Sequence, residues 1–393
     1  MDAPLLSWVL HEARLHEDVE SLLASFGRML LGSGVPIFRI VLPLRARHPL
    51  VRVAGWGLSN TSKGLRVGTF AVKDADETWA ELYTRSPLPS IVERGEEVVR
   101  RRLIDERCPM DFGILPELRE LRVTDYVALG GELREGERVC MTFATRAATG
   151  FDDAHIAFLR EASQAFLLQA ELRLTRALAA TIARTYLGAR AGARVTAGDI
   201  HRGEVRRIDA VIGFCDLRGF TATSAQRSPE EITDLLNVWF DAIARPVDRT
   251  GGEILKFIGD AALVVWPTEG EVSRACAAAV DAAASLAASL PKDLRGGFAL
   301  HRGEVAYGNI GATDRLDFTV IGTAVNLASR LEGLCATLDV PWLVSDAVAA
   351  PLGVPLHDLG VHTLKGFRDA VRVWGPLPPP RAIAERTPPP PRA

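Results

Sequence analysis

The chain of 393 residues carries 46 Lys and Arg against 49 Asp and Glu, a formal net charge of -3. That balance gives no reason to expect the concentrated basic surface that nucleic-acid binding requires, and no apolar run approaches the roughly 20 residues of a membrane span. Cys108, Cys140, Cys215, Cys276 and Cys335 lie scattered without CxxC pairs or metal-type spacing, and the start MDAPLLSWVLHEARLHEDVE is too acidic for a signal peptide, so reduced thiols and a cytoplasmic location are expected.

The length predicts two or three domains, because single cores rarely grow past about 250 to 300 residues. Over residues 15–31, Leu15, Val19, Leu22, Phe26 and Leu30 stand at helical spacing, and Gly32 and Gly34 end the pattern. Strand-like alternation follows at Phe38, Ile40 and Leu42, then in LVRVAGW, DYVALGG and RVCMTFATR, the last two joined by the polar turn ELREGER. A helix, antiparallel strands and a closing helix from about Asp152 make a first domain over 1–165. This order resembles a GAF-type sensor domain, which implies a small-molecule or protein regulator. His11, His16, His48 and His155 are expected at the surface, and Trp56 and Cys108 in the core, rather than against a cofactor.

From Asp152 to Leu187 there is neither proline nor glycine, which predicts one helix of about 50 Å at 1.5 Å per residue. Leu168, Leu172, Thr175, Ala179, Ile182 and Tyr186 alternate steps of four and three, the seam of a two-helix coiled coil. GARAGARVTAGDIHRGE then reads as a glycine-bearing linker, so 166–204 is a signalling helix plus linker.

Residues 205–376 alternate strands and helices. IDAVIGFCDL is a buried strand; SPEEITDLLNVWFDAIARPVDRTGG is a helix with Ser as N-cap, then Pro and two Glu. The hairpin GGEILKFIGDAALVVWP, an Ala-rich helix, the strand GGFALHRGEVAYGNIG, the segment DFTVIGTAVNLASRLEGLC, the strand PWLVSD and a hairpin around VHTLKGFRDAVRVWG complete it. The pattern predicts an α/β (α+β) domain, a central sheet flanked by helices. The proline-rich residues 377–393 are expected to be extended and disordered.

Two charges stand out in the apolar hairpin, Lys256 and Asp260. Unpaired, each would cost several kcal/mol, so something polar should face them. Asp216 ends its strand just before Gly219 and a helix start, where a carboxylate beside free N–H groups suits Mg²⁺ holding a polyphosphate. Asn326 and Arg330, four apart in VNLASR, share one helix face.

In order, IDAVIGFCDLRGFT, GGEILKFIGDAAL, GTAVNLASRLE and TLKGF resemble the catalytic domain of class III nucleotidyl cyclases over about 170 residues. The resemblance implies two divalent metals, Mg²⁺ or Mn²⁺, held by Asp216, Leu217 and Asp260. It further implies substrate contacts by Gly219, Phe220, Thr221 and Lys365, and a transition-state pair in Asn326 and Arg330. Lys256 and Thr319 match the base-reading positions. An ammonium donates to adenine N1 but meets a second donor at guanine N1–H, and Thr319 can accept from the adenine amine, so ATP is implied, in the Thr-bearing subgroup. The family builds its sites between subunits, which implies a homodimer. GGE at 251–253 is shared with diguanylate cyclases, but Ile254 and Leu255 replace that signature's continuation. The alternative is a catalytically silent module that binds nucleotide without releasing pyrophosphate.

Overall fold

The computed structural model describes residues 3–48, 51–72, 83–133, 136–291 and 293–377. The expected disorder of the tail from residue 378, and the placement of the His48 side chain, lie outside them. The chain divides into two compact units, Met1–Thr181 and Ile182–Ala393. Among the described residues no helix is long and apolar enough to cross a membrane, and all five cysteines are free.

In the first unit, β1 (Arg39–His48), β2 (Val51–Thr61), β3 (Gly64–Val72), β4 (Val98–Arg101), β5 (Asp125–Glu132) and β6 (Arg138–Thr145) form a sheet in the order β3-β2-β1-β6-β5-β4. Every pairing in it is antiparallel. The first amphipathic helix, α1, runs Val19–Gly32 and so starts later than its apolar spacing suggests. Asp18 sets the start, its carboxylate accepting the Ser21 N–H at 2.7 Å, while Leu15 sits in a preceding 3₁₀ turn and is 72% exposed. Leu22, Leu23, Phe26 and Leu30 pack with Phe143 and Phe166 on one side of the sheet, and Ile91, Leu115 and Leu118 with Tyr126 and Cys140 form a second cluster.

The glycine-free stretch forms the single helix α2, Asp153–Leu187. Leu159, Ala162, Phe166 and Ala170 are buried, whereas Leu168, Leu172, Thr175, Ala179, Ile182 and Tyr186 are all exposed. The segment read as a linker instead contains an eight-residue helix, α3, Ala189–Thr196. Its glycines serve close approach: a Cβ on Gly192 would come within 2.6 Å of the Ala183 backbone.

In the second unit, β7 (Val205–Leu217), β8 (Glu253–Ile258), β9 (Ala261–Pro267), β10 (Gly296–Gly311), β12 (Trp342–Ser345), β13 (His357–His362) and β14 (Val371–Gly375) lie in the order β13-β14-β12-β10-β7-β9-β8, with β11 (Leu316–Ile321) added on β10. Helix α4 (Pro229–Arg249) and helix α5 (Val272–Ser289) cover one face. Helix α6 (Thr323–Thr337) covers the other. Alternation along β7 explains both layers: Val211 and Cys215 join Trp239 and Ile243 of α4, while Ala210 and Ile212 join Ala324 and Ala328 of α6. SPEE closes a capping box, with Ser228 N–H donating to Glu231 Oε2 at 2.8 Å and Glu231 N–H to Ser228 Oγ at 3.2 Å.

Asp125 is fully buried in the first unit and held by Arg100 Nη2 at 2.6 Å and the Phe151 N–H at 3.0 Å. Removing only the cation strands a buried charge, so Arg100→Met should lower that unit's unfolding free energy by about 3 kcal/mol in urea titration. Loss of under about 0.5 kcal/mol would show that the pair contributes only as surface ion pairs do.

Candidate functional site

Strand β7 delivers Asp216 to its end, opposite Gly297 of β10 in the antiparallel register. Asp260 occupies the β8–β9 turn, which Gly259 closes at φ +65° and which Trp239 anchors by donating Nε1–H to the Asp260 carbonyl at 2.8 Å. The Asp260 carboxyl group is close enough to act on the protonation of Asp216. Desolvation, then the contact with Asp260 and its charge, push Asp216 up to about 7, against the Leu217 N–H that donates to Asp216 Oδ1 at 2.9 Å.

A third carboxylate escaped the sequence reading. Glu332 of α6 adds its charge to the pair, and burial raises its own pKa while Arg218 opposes the rise. Gly297 makes room for it, since a Cβ there would come within 2.6 Å of Glu332 Oε1. Arg218 was also missed. Its Nη2 donates to the carbonyls of Cys335 and Val340 and its Nη1 to Asp339 at 3.1 Å, so the loop after Asp216 is tied to the end of α6. Arg218 Nε is buried without a partner among the described residues.

Two facing carboxylates are a hard-oxygen donor set, and their mutual repulsion is relieved by a divalent cation. Among the described residues no group of three or more His, Cys, Asp or Glu is arranged to hold a metal ion. The Leu217 side chain is buried in the core, leaving only its main chain for the site. Gly219, at φ +73°, precedes the short helix Phe220–Ser224, where Phe220 packs on the core and Thr221 is exposed.

Lys256 has the polar neighbour that the hairpin demanded: its Nζ lies 2.9 Å from Asp317 Oδ2 on β11. With the side chains 30% and 55% exposed, the pair contributes at most about 1 kcal/mol and is readily exchanged for a ligand. Thr319 is on β11 two residues beyond Asp317 and is 6% exposed. β8 and β11 lie against each other, and a cavity of about 890 Å³ opens beside them, lined by Lys256, Phe257, Asp317, Arg184, Arg190 and Asp248 among others. Asn326 and Arg330 are exposed on α6 and Lys365 in the β13–β14 turn. None of these three has a side-chain hydrogen bond or ion pair among the described residues, so the fold does not join them to either pair.

Residues 204–369 match the adenylate and guanylate cyclase catalytic domain. An adenylate cyclase of Anabaena cylindrica is 36% identical over 179 residues, 41% of this chain and 35% of that protein. Adenylate cyclase 1 of Rhizobium meliloti is 34% identical over 175 residues, 41% of this chain and 26% of that protein. The chain thus spans only a minor part of the length of these relatives. Among solved structures, the adenylyl cyclase CyaB from P. aeruginosa is 28% identical with a TM-score of 0.40, covering 45% of this chain and 98% of that one. The guanylyl cyclase Cya2 is also 28% identical, with a TM-score of 0.35, covering 44% and 92%. Over residues 204–369, therefore, this chain is similar to the catalytic domains of adenylate and guanylate cyclases.

Proposed function

We propose that the chain is an adenylate cyclase, converting ATP to 3′,5′-cyclic AMP and pyrophosphate at sites shared between two copies. The observation that carries the choice of base is the close approach of strands β8 and β11, which bear Lys256 and Thr319 and are joined by the Lys256–Asp317 ion pair. Lys256, exchanging Asp317 for adenine, donates to N1, and Thr319 accepts from the exocyclic amine. Guanine would offer a donor to a donor.

Asp216 and Asp260, with the Leu217 main chain, would hold two Mg²⁺ or Mn²⁺ ions, which would lower the pKa of the ribose 3′-hydroxyl and neutralise the triphosphate. The chain's own residues do the rest. Gly219, Phe220 and Thr221 seat the phosphates at the helix start, and Lys365 meets the terminal phosphates. Asn326 orients the ribose and Arg330 offsets charge on the α-phosphate as O3′ attacks phosphorus and the bond to pyrophosphate breaks. Asn326 and Arg330 are exposed and make no side-chain hydrogen bond or ion pair among the described residues, which supports their serving the nucleotide bound to the other copy's aspartates. The exposed seam along α2 supports a parallel two-helix stalk in the same dimer. For the first unit, an antiparallel sheet with helices supports a GAF-like sensor over 1–165 that acts through 166–204.

Purified chain with ATP and Mn²⁺ or Mg²⁺ should yield cyclic AMP and pyrophosphate on chromatography, with at least about tenfold less cyclic GMP from GTP. ATP binding without pyrophosphate release, in full chain and in residues 198–393 alike, would establish the silent module instead. Asp260→Ala and Arg330→Ala should each be inactive alone, and mixed and allowed to exchange they should recover about a quarter of wild-type activity, from one complete site in half of the dimers. No recovery between demonstrably exchanging chains would rule out the shared site.

The raised Asp216 pKa sets a sign for stability. The folded state holds the proton more tightly than the unfolded chain, so this contribution is complete below about pH 4 and is lost as pH rises through about 7. Because Asp216 is half-exposed, solvent screening reduces the effect to about 1 kcal/mol. In EDTA, the melting midpoint of wild type should fall more between pH 5 and 8 than that of Asp260→Asn, and Mg²⁺ should raise only the wild-type midpoint at pH 8. Equal pH slopes would show that the two carboxyl groups do not interact.

A further inference from the structure

One buried carboxylate ties helix α3 to the strands that read the base. Glu253 opens β8, three residues before Lys256, and is 4% exposed. Among the described residues it has no cation as partner. Its Oε1 accepts the N–H groups of Arg190 at 3.0 Å and Ala191 at 2.9 Å, donors that the first turn of α3 would otherwise leave open. Its Oε2 accepts the Tyr307 hydroxyl at 2.8 Å. Gly188, at φ +92°, is required beside it, since a Cβ there would meet both Glu253 Oε1 and the Ile254 carbonyl at 3.1 Å.

The contacts continue to β11. The Tyr307 ring meets Phe318 edge-on at 4.9 Å, and Phe318 adjoins Thr319. Arg194 of α3 lies over both rings, at 5.5 and 5.2 Å, with its Nε held by Asp199 at 2.7 Å. Asn309 of β10 donates in turn to the Asp199 carbonyl at 2.8 Å. Helix α3 therefore touches the flanks of both base-reading residues, through Glu253 on β8 and through Tyr307 and Phe318 beside Thr319. A buried carboxylate adds less stability than a well-packed apolar side chain would, so its use here points to geometry rather than to stability.

We propose that Glu253 is a positioning residue for base selection, setting the spacing of Lys256 and Thr319 by the seating of α3. The proposal rests on the adenylate cyclase reading for the identity of the ligand. The seating of α3 is then also a means by which the end of α2 governs nucleotide affinity.

The test is calorimetric binding of the α,β-methylene analogues of ATP and GTP, with Mg²⁺, to the full chain. Glu253→Ala should weaken the ATP analogue about five- to tenfold and leave the GTP analogue nearly unchanged, so that discrimination collapses by the same factor. Glu253→Gln keeps an acceptor for both N–H groups and an amide for the tyrosine oxygen, and should stay within about twofold of wild type. A folded Glu253→Ala chain with a lower melting point but unchanged discrimination would overturn the proposal. If that variant does not fold, Tyr307→Phe, which loses one hydroxyl, decides the matter: reduced discrimination supports the proposal and wild-type discrimination overturns it. Cyclic AMP production by wild type is measured in parallel. Its absence would remove the cyclase reading, while the analogue ratios still judge the role of Glu253.

Discussion

The second unit is organised around a repulsion. Asp216 and Asp260 face one another in half-buried surroundings where two negative charges are costly, and the fold holds them there by unrelated means. Asp216 is fixed as the last turn of a central strand begins, with its neighbour's N–H on Oδ1. Asp260 is fixed by a glycine turn and by a tryptophan indole on its carbonyl. The Asp260 anchor spares its carboxylate altogether, and that of Asp216 engages only Oδ1, so carboxylate oxygens of both residues stay available to a cation. Arg218 extends the arrangement by clamping the following loop to the end of α6.

Much of this was legible because it is punctuated locally. A strand ending in Asp, a Gly-Asp turn and a Ser-Pro-Glu-Glu helix start are written within a few residues, and the structure shows Asp216, Asp260 and α4 where those signals put them. The partners were not legible. Asp317, Glu332 and Glu253 owe their roles to strand register and helix packing, which bring together residues tens of positions apart. An Asp in DFTV or a Glu in RLEG has no local mark of its own.

Two details that the sequence reading missed share a cause. Leu15 fits the apolar spacing of α1 but lies outside it, because Asp18 claims the Ser21 N–H and starts the helix there. GARAGARV has the glycines of a linker, yet Gly188 takes a φ of +92° as the N-cap of α3 and Gly192 admits the Ala183 backbone. Spacing and composition report averages over a segment. A single cap or a single close approach decides the outcome locally.

The β8–β9 hairpin has one more consequence. Lys256 and Asp260 are four residues apart on it, a reach of about 13 Å when extended. In a dimer with shared sites, those two side chains would serve different nucleotides. A shift of this one hairpin, on filling of the first site, would then reach the second without passing through any other part of the fold. Cooperativity between two ATP molecules, of either sign, would be carried by a few residues of β-strand.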